Sequence, residues 1–186
     1  AIRGGAINTR SFIPHRAHAT IGVFAAVSVA TACTLAGSPA AGIAAIPADG
    51  RYLIEYQYRH PVGRAMLEFP AGKIDAGEPS LASAQRELRE ETGFVAGQWA
   101  FAGVMHNCIG YSDEHIDIWF ARDLQFQGQQ LDAGEFLQIH TATLADLLQR
   151  AREGTLTDAK TLTALLWAQQ LASGAWQLDW QSSSQP

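Results

Sequence analysis

The chain is poor in cysteine, in basic charge and in long apolar runs, and each shortage removes a class of explanation. Two cysteines, Cys33 and Cys108, among 186 residues cannot build a disulfide framework and lack metal-ligand spacing. They read as small buried residues in a reducing cytoplasm. Lys and Arg number 13 against 18 Asp and Glu, and the net charge of −5 leaves no basic footprint for nucleic acid. From Ala17 to Ala48 there is no Asp, Glu, Lys or Arg. Gly, Ser and Thr nonetheless interrupt that run, which falls short of the ~20 strongly apolar residues of a membrane span. With 47% hydrophobic and 17% charged residues, the chain suits one globular domain with a sizeable core.

What the chain does have is a dense stretch from Gly72 to Phe94, GKIDAGEPSLASAQRELREETGF. Its second half predicts a helix from Pro79 to Thr92: Pro79 suits a first helical position, and Gly93 stands where a C-cap belongs. Leu81, Ala84 and Leu88, spaced three and four apart, give this helix its buried side. Glu87, Glu90 and Glu91 fall at i, i+3 and i+4 on another side, where like charges repel by ~0.2–0.5 kcal/mol per pair. Two readings are open for such a trio. One is a solvated acidic face; the other is a hard divalent cation, which takes carboxylate oxygens together with substrate phosphates. The glycine-rich turn FPAGKIDAGE, leading straight into the helix, lets backbone groups and carboxylates converge and favours the cation.

These residues resemble the signature of the Nudix hydrolases, G-x5-E-x7-R-E-U-x-E-E-x-G-U with U a bulky apolar residue. Gly72, Glu78, Arg86, Glu87, Leu88, Glu90, Glu91, Gly93 and Phe94 fill every fixed place. At average residue usage a chance match is on the order of one in a billion per window, which rules chance out. The resemblance implies an α/β/α sandwich with mixed β-sheets and Mg²⁺-dependent hydrolysis of a nucleoside diphosphate linked to another group, with Mn²⁺ as a possible substitute. By the family pattern Glu87 and Glu91 are principal metal ligands, Glu90 assists, and the Ala71 carbonyl completes the set. Arg86 either braces the glutamates or touches substrate, and Glu78 either serves the site or stabilises the helix dipole.

The rest of the chain narrows the branch. Gln57-Tyr58-Arg59 is similar to the Q-[YF]-R motif of ADP-ribose pyrophosphatases, which implies that Arg59 binds the diphosphate; its guanidinium suits that role. The loop MHNCIGYSDE resembles their G-x-S-D-E loop, with Ile109 where that branch usually has proline. Glu114 there either accepts from a ribose hydroxyl or caps a strand. Glu135 occupies the place of the G-E-F glutamate, which acts as general base; the alternative base is Glu90. The implied substrate is a small nucleotide sugar, with ADP-ribose leading, GDP-mannose as a rival and a non-catalytic ADP-ribose sensor as a third reading. A homodimer in the cytoplasm, without nucleic-acid or membrane partners, completes the expectation.

Residues 1–41 stand apart as an arm. Ile21, Val23, Val27, Val29, Thr31, Cys33 and Leu35 alternate as in a strand. Arg3, Arg10 and Arg16 before an apolar centre resemble a targeting segment, and a poorly ordered or incorrectly translated start is the third reading. No Trp or Tyr precedes Tyr52, whereas relatives often use N-terminal aromatics to clasp the nucleobase. The catalytic domain is expected over 42–172. GIAAIP predicts a strand, ADG a tight turn and RYLIEYQY its hairpin partner, with Tyr52, Ile54, Tyr56 and Tyr58 on one face. Further strands are expected at Met66–Phe69, Gln98–Val104, Glu114–Ala121 and FLQIH, with a mobile loop at Gln125–Gly134. Helices are expected at Leu144–Arg152 and Asp158–Ala172, the second amphipathic through Leu162, Leu165, Leu166 and Gln169. The TDAKT segment at the start of that helix matches the family's closing helix, and the tail after Gly174 reads as weakly held.

Overall fold

The computed structural model describes residues 11–13, 16–18, 39–110, 112–131 and 137–183. Ten strands and three helices follow in order: β1 (Ser11–Ile13), β2 (Arg16–His18), β3 (Ala40–Ile46), β4 (Tyr52–Arg59), β5 (Arg64–Glu68), β6 (Ala71–Lys73), α1 (Ser80–Thr92), β7 (Phe94–His106), β8 (His115–Phe126), β9 (Leu137–Ala142), α2 (Leu144–Arg152), α3 (Ala159–Ala172) and β10 (Gln181–Ser182). β1 and β2 pair antiparallel. The alternating positions Ile21–Leu35 and Cys33 lie outside the described residues.

The fold is a mixed α/β sandwich. A five-stranded sheet in the order β10-β7-β8-β3-β6 is accompanied by a three-stranded sheet, β5-β4-β9. β3 is the hinge of the architecture because it is apolar on both faces. Ala41, Ile43 and Ala45 pack with Ala84 and Leu88 of α1, and Ala44 packs with Ala164, Leu165 and Ala168 of α3. A strand buried on both sides belongs in the interior of a sheet, and β3 runs parallel to β8, with Ala40 beside Ile116. This overturns the expected hairpin. The ADG turn forms, Gly50 N–H donating to Pro47 O at 3.0 Å, but it carries the chain from the large sheet into the small one, where β4 pairs with β5 and β9.

Other departures have similar causes. Pro79 is the N-cap of α1, in extended conformation, rather than its first helical residue. β8 runs on through Phe126, and beyond it Gln127 and Gly128 donate to Gly93 O while Gln130 donates to Glu90 O at 3.0 Å. The described part of the expected mobile loop is therefore fastened to the end of α1. α3 turns a different side inward: Thr161, Ala164, Leu165 and Ala168 are buried, while Leu162 and Leu166 are exposed and Gln169 also faces outward. Small residues let the helix approach the sheet, and its first turn is tied to Glu68 and Phe69, which fixes its rotation. Cys108 is a half-buried free thiol. Among the described residues no helix is long and apolar enough to cross a membrane.

The tail is docked rather than loose. Gln181 and Ser182 pair with Trp99 and Gln98 of β7, Ser183 N–H donates to Gly97 O at 2.9 Å, and Arg122 lies 3.9 Å from the centre of the Trp180 ring. Leu178 and Trp180 also pack on the core. Truncation after Gly174 is expected to lower the melting temperature by several degrees, since a loss of one kcal/mol shifts Tm by about 2–4 °C at this size. Scanning calorimetry of the truncated and full chains checks it, and an unchanged Tm would return the tail to the status of a loose appendage.

Candidate active site

The acidic side of α1 is assembled by a single arginine. Arg86 Nε and Nη2 donate to the two carboxylate oxygens of Glu78, each at 3.1 Å. Its Nη1 donates to Glu87 Oε1 at 2.7 Å and Glu90 Oε2 at 3.1 Å. Nη2 also reaches Lys73 O at 3.0 Å, fastening the helix to the turn before it. The hydrogen bonds to Glu78, and then those to Glu87, hold the guanidinium protonated despite its partial burial. Arg86 thus offsets the repulsion among the glutamates.

Gly72 explains its place in the signature. A Cβ there would lie 1.8 Å from Glu87 Cδ and 1.9 Å from its Oε1, so only glycine lets that carboxylate rest against the β6 backbone. Gly93 is required twice over: its φ of 78° is left-handed, and a Cβ would fall 2.6 Å from Phe126 and 2.7 Å from Gln129 N. Glu91, 3% exposed, accepts from Ala71 N–H at 3.1 Å. In an extended strand a residue's N–H and C=O lie along the same edge. The Ala71 carbonyl is therefore turned away from β3 and toward α1.

As the side chains stand, no three His, Cys, Asp or Glu among the described residues share one ion-sized point. The donor set is nevertheless that of a hard cation: Glu87 seated where a Cβ would be, the buried Glu91 carboxylate, Glu90 beside them and a carbonyl aimed from the loop. These are all oxygens, with no sulfur or imidazole among them.

A cleft of about 410 Å³ lies beside this cradle, within the usual range for small-molecule sites. Ala71, Gly72, Lys73, Arg59 and Glu114 all line it. Arg59 and Glu114, far apart in sequence, thus reach one opening with the Ala71–Lys73 segment. Glu114 N–H is held by Ser112 Oγ at 3.1 Å, an explanation for the serine of the S-D-E segment. Glu135 lies outside the described residues.

Sequence reasoning missed Glu68, Asp158 and Lys160, which also line the cleft. Arg59 binds Glu68 with both Nε and Nη2, each at 2.8 Å, and the Lys160 ammonium joins the same carboxylate. Burial of Glu68 and Glu55, each 1% exposed and directly opposed across β4 and β5, demands such cations, because facing like charges are destabilising. The signal was present as one glutamate in each of two otherwise apolar runs, YLIEY and AMLEF.

A helix-borne group of carboxylates beside a cleft lined by Arg59, Lys73 and Lys160 together with Glu68, Glu114 and Asp158 is suited to a charged ligand. A profile of the NUDIX domain matches residues 38–165, and the chain belongs to the Nudix hydrolase family. It is 32% identical over 132 residues to the ADP-ribose pyrophosphatase of Bacillus subtilis, covering 70% of this chain and 71% of that one. A crystal structure of an ADP compounds hydrolase superposes with a TM-score of 0.69 at 26% identity over 75% of each chain. Over 65 residues, 35% of its length, the chain is also 54% identical to 4-oxalomesaconate tautomerase of Pseudomonas putida, a match to only 18% of that enzyme.

Two outcomes follow from this geometry. Gly72→Ala should displace the Glu87 carboxylate and cut turnover by about 10²-fold or more while leaving the circular dichroism spectrum intact; wild-type turnover would refute the cradle. The second concerns acid stability. Arg86, chiefly by hydrogen bonding, holds the Glu78 carboxyl below its ordinary value of 4.5. A group depressed in the folded state stabilises above its unfolded pKa and loses that contribution as pH falls through the folded one. The urea midpoint of the native protein should accordingly drop more steeply below pH 4.5 than that of Glu78→Gln, and parallel curves would contradict it.

Proposed function

We propose that the chain hydrolyses the diphosphate bridge of ADP-ribose, with Mg²⁺ as cofactor, giving AMP and ribose 5-phosphate. The observation that carries this is the sharing of one cleft by Arg59 of the QYR motif, Glu114 of the S-D-E loop and the Ala71–Lys73 loop. A diphosphate flanked by two riboses needs those groups together: a fork for phosphate, an acceptor for a sugar hydroxyl, and a hard-cation site between.

In this reading Glu87, Glu91, the Ala71 carbonyl and, secondarily, Glu90 hold the cation. When bound, it supplies positive charge against the phosphoryl oxygens and makes a nearby water more acidic. Arg59 binds the phosphate farther from α1, with the N–H groups that Glu68 leaves free. Glu114 accepts from a ribose hydroxyl. Glu135 takes the proton of the attacking water, with Glu90 as the alternative base. Arg86 keeps the carboxylates in register. A homodimeric state rests on the family resemblance, and a cytoplasmic setting on the scarcity of cysteine.

A panel of nucleoside diphosphate derivatives assayed with Mg²⁺, with products identified by mass spectrometry, tests the proposal. ADP-ribose should give the highest kcat/KM, EDTA should abolish turnover, and Glu91→Gln should reduce kcat by about 10²-fold or more with the fold retained. Faster hydrolysis of GDP-mannose would replace the substrate, and binding of ADP-ribose without release of AMP would make the protein a sensor.

A further inference from the structure

We propose that Lys160, in the TDAKT segment, is a positioning residue for phosphate recognition: acting through Glu68, it fixes the aim of Arg59 into the cleft. The inference deepens the role given to Arg59 above and rests on it.

The Glu68 carboxylate is divided between two cations. Its Oε1 accepts from Arg59 Nε and its Oε2 from Arg59 Nη2, while Oε2 also accepts from Lys160 Nζ. A guanidinium has five N–H groups. Among the described residues Glu68 engages two of them, so the Nη1 and Nη2 edge keeps a second fork, the shape that fits a phosphate.

Arg59 cannot steady that arrangement alone, because its side chain is 41% exposed and sits on a long flexible stem. Lys160 can, since its side chain is only 6% exposed and Asp158 Oδ2 holds the ammonium from the other side at 3.2 Å. Asp158 is itself fixed as the N-cap of α3, accepting from Thr161 N–H at 2.9 Å and from its hydroxyl at 2.6 Å. The Thr161 hydroxyl in turn accepts from Phe69 N–H at 2.8 Å, two residues before Ala71. One helical turn therefore anchors both Glu68 and the start of the loop that presents the Ala71 carbonyl. Without Lys160, the two oxygens of the Glu68 carboxylate keep Arg59 as their cation among the bonds named above. The guanidinium is then drawn toward them and its outer fork loses its aim.

The test compares the native enzyme, Arg59→Ala, Lys160→Met, the double variant and Lys160→Arg. All are assayed with Mg²⁺ and ADP-ribose, or with whichever compound of the panel is hydrolysed fastest. Lys160→Met should raise KM about 10-fold with kcat changed less than about 3-fold, and should change KM less than about 2-fold in the Arg59→Ala background. Lys160→Arg should restore most of the loss. If Lys160→Met does not fold, Lys160→Gln takes its place, with melting curves confirming the folded state. A merely structural lysine would lower Tm without this dependence on Arg59, so an equal KM change in both backgrounds, or none in either, overturns the proposal while leaving Arg59's role standing. An unaltered KM in Arg59→Ala removes the phosphate role of Arg59 itself and the inference with it.

Discussion

Cations set among carboxylates are the condition on which this structure depends. Arg86 gathers Glu87 and Glu90 of α1 with Glu78 of the preceding turn, and Arg59 with Lys160 gathers Glu68 of β5. The second group lines the cleft, and the first meets its edge through Gly72 and Lys73. Each cluster concentrates negative charge that water would otherwise disperse, and each is held by donors whose geometry is fixed at both ends. A carboxylate held in this way has little freedom left to lose when it takes up a further cation or orients a neighbouring fork.

The apolar scaffold supplies the fixed ends. β3 is buried on both faces, between α1 on one side and α3 on the other, and it also pairs with β6, which carries Gly72. The two helices bearing the charged residues are thus referred to a single strand. Small residues at Ala41, Ala44 and Ala45, fully buried, permit this close approach, and Trp119 Nε1 donating to Ser80 Oγ at 2.9 Å ties the start of α1 to β8.

The local features of this arrangement were legible in the sequence. α1 and its C-cap, α2 to the residue and the glutamate spacing all depend on neighbours within a few positions. What escaped was non-local. The turn at Asp49 and Gly50 is the same whether the chain folds back or crosses to another sheet, and only the pairing of β3 with β8 decides between them. The inward side of α3 was misjudged because leucine content pointed to Leu162 and Leu166, whereas Lys160 and Thr161 were drawn inward by Glu68 at the end of β5 and by Phe69 just after it. The docking of Trp180 beside Arg122 likewise joins parts of the chain that no short window contains. Buried ionic networks are the hardest of these features to foresee, since their members look like surface residues until the partners are known.

The parallel pairing of β3 with β8 also bears on how the protein acquires its activity as it folds. Ala40 finds Ile116 only after the intervening chain has been made and closed into a long loop, a slow, entropically costly event. α1, with its strong local signals, can begin to form early. β6 and its glycine lean on one edge of β3, and β8 arrives at the other edge from far along the chain. During synthesis on the ribosome the acidic helix is therefore made before β8 can pair, and a nascent chain halted before that strand would carry the signature on a β3 that lacks its parallel partner.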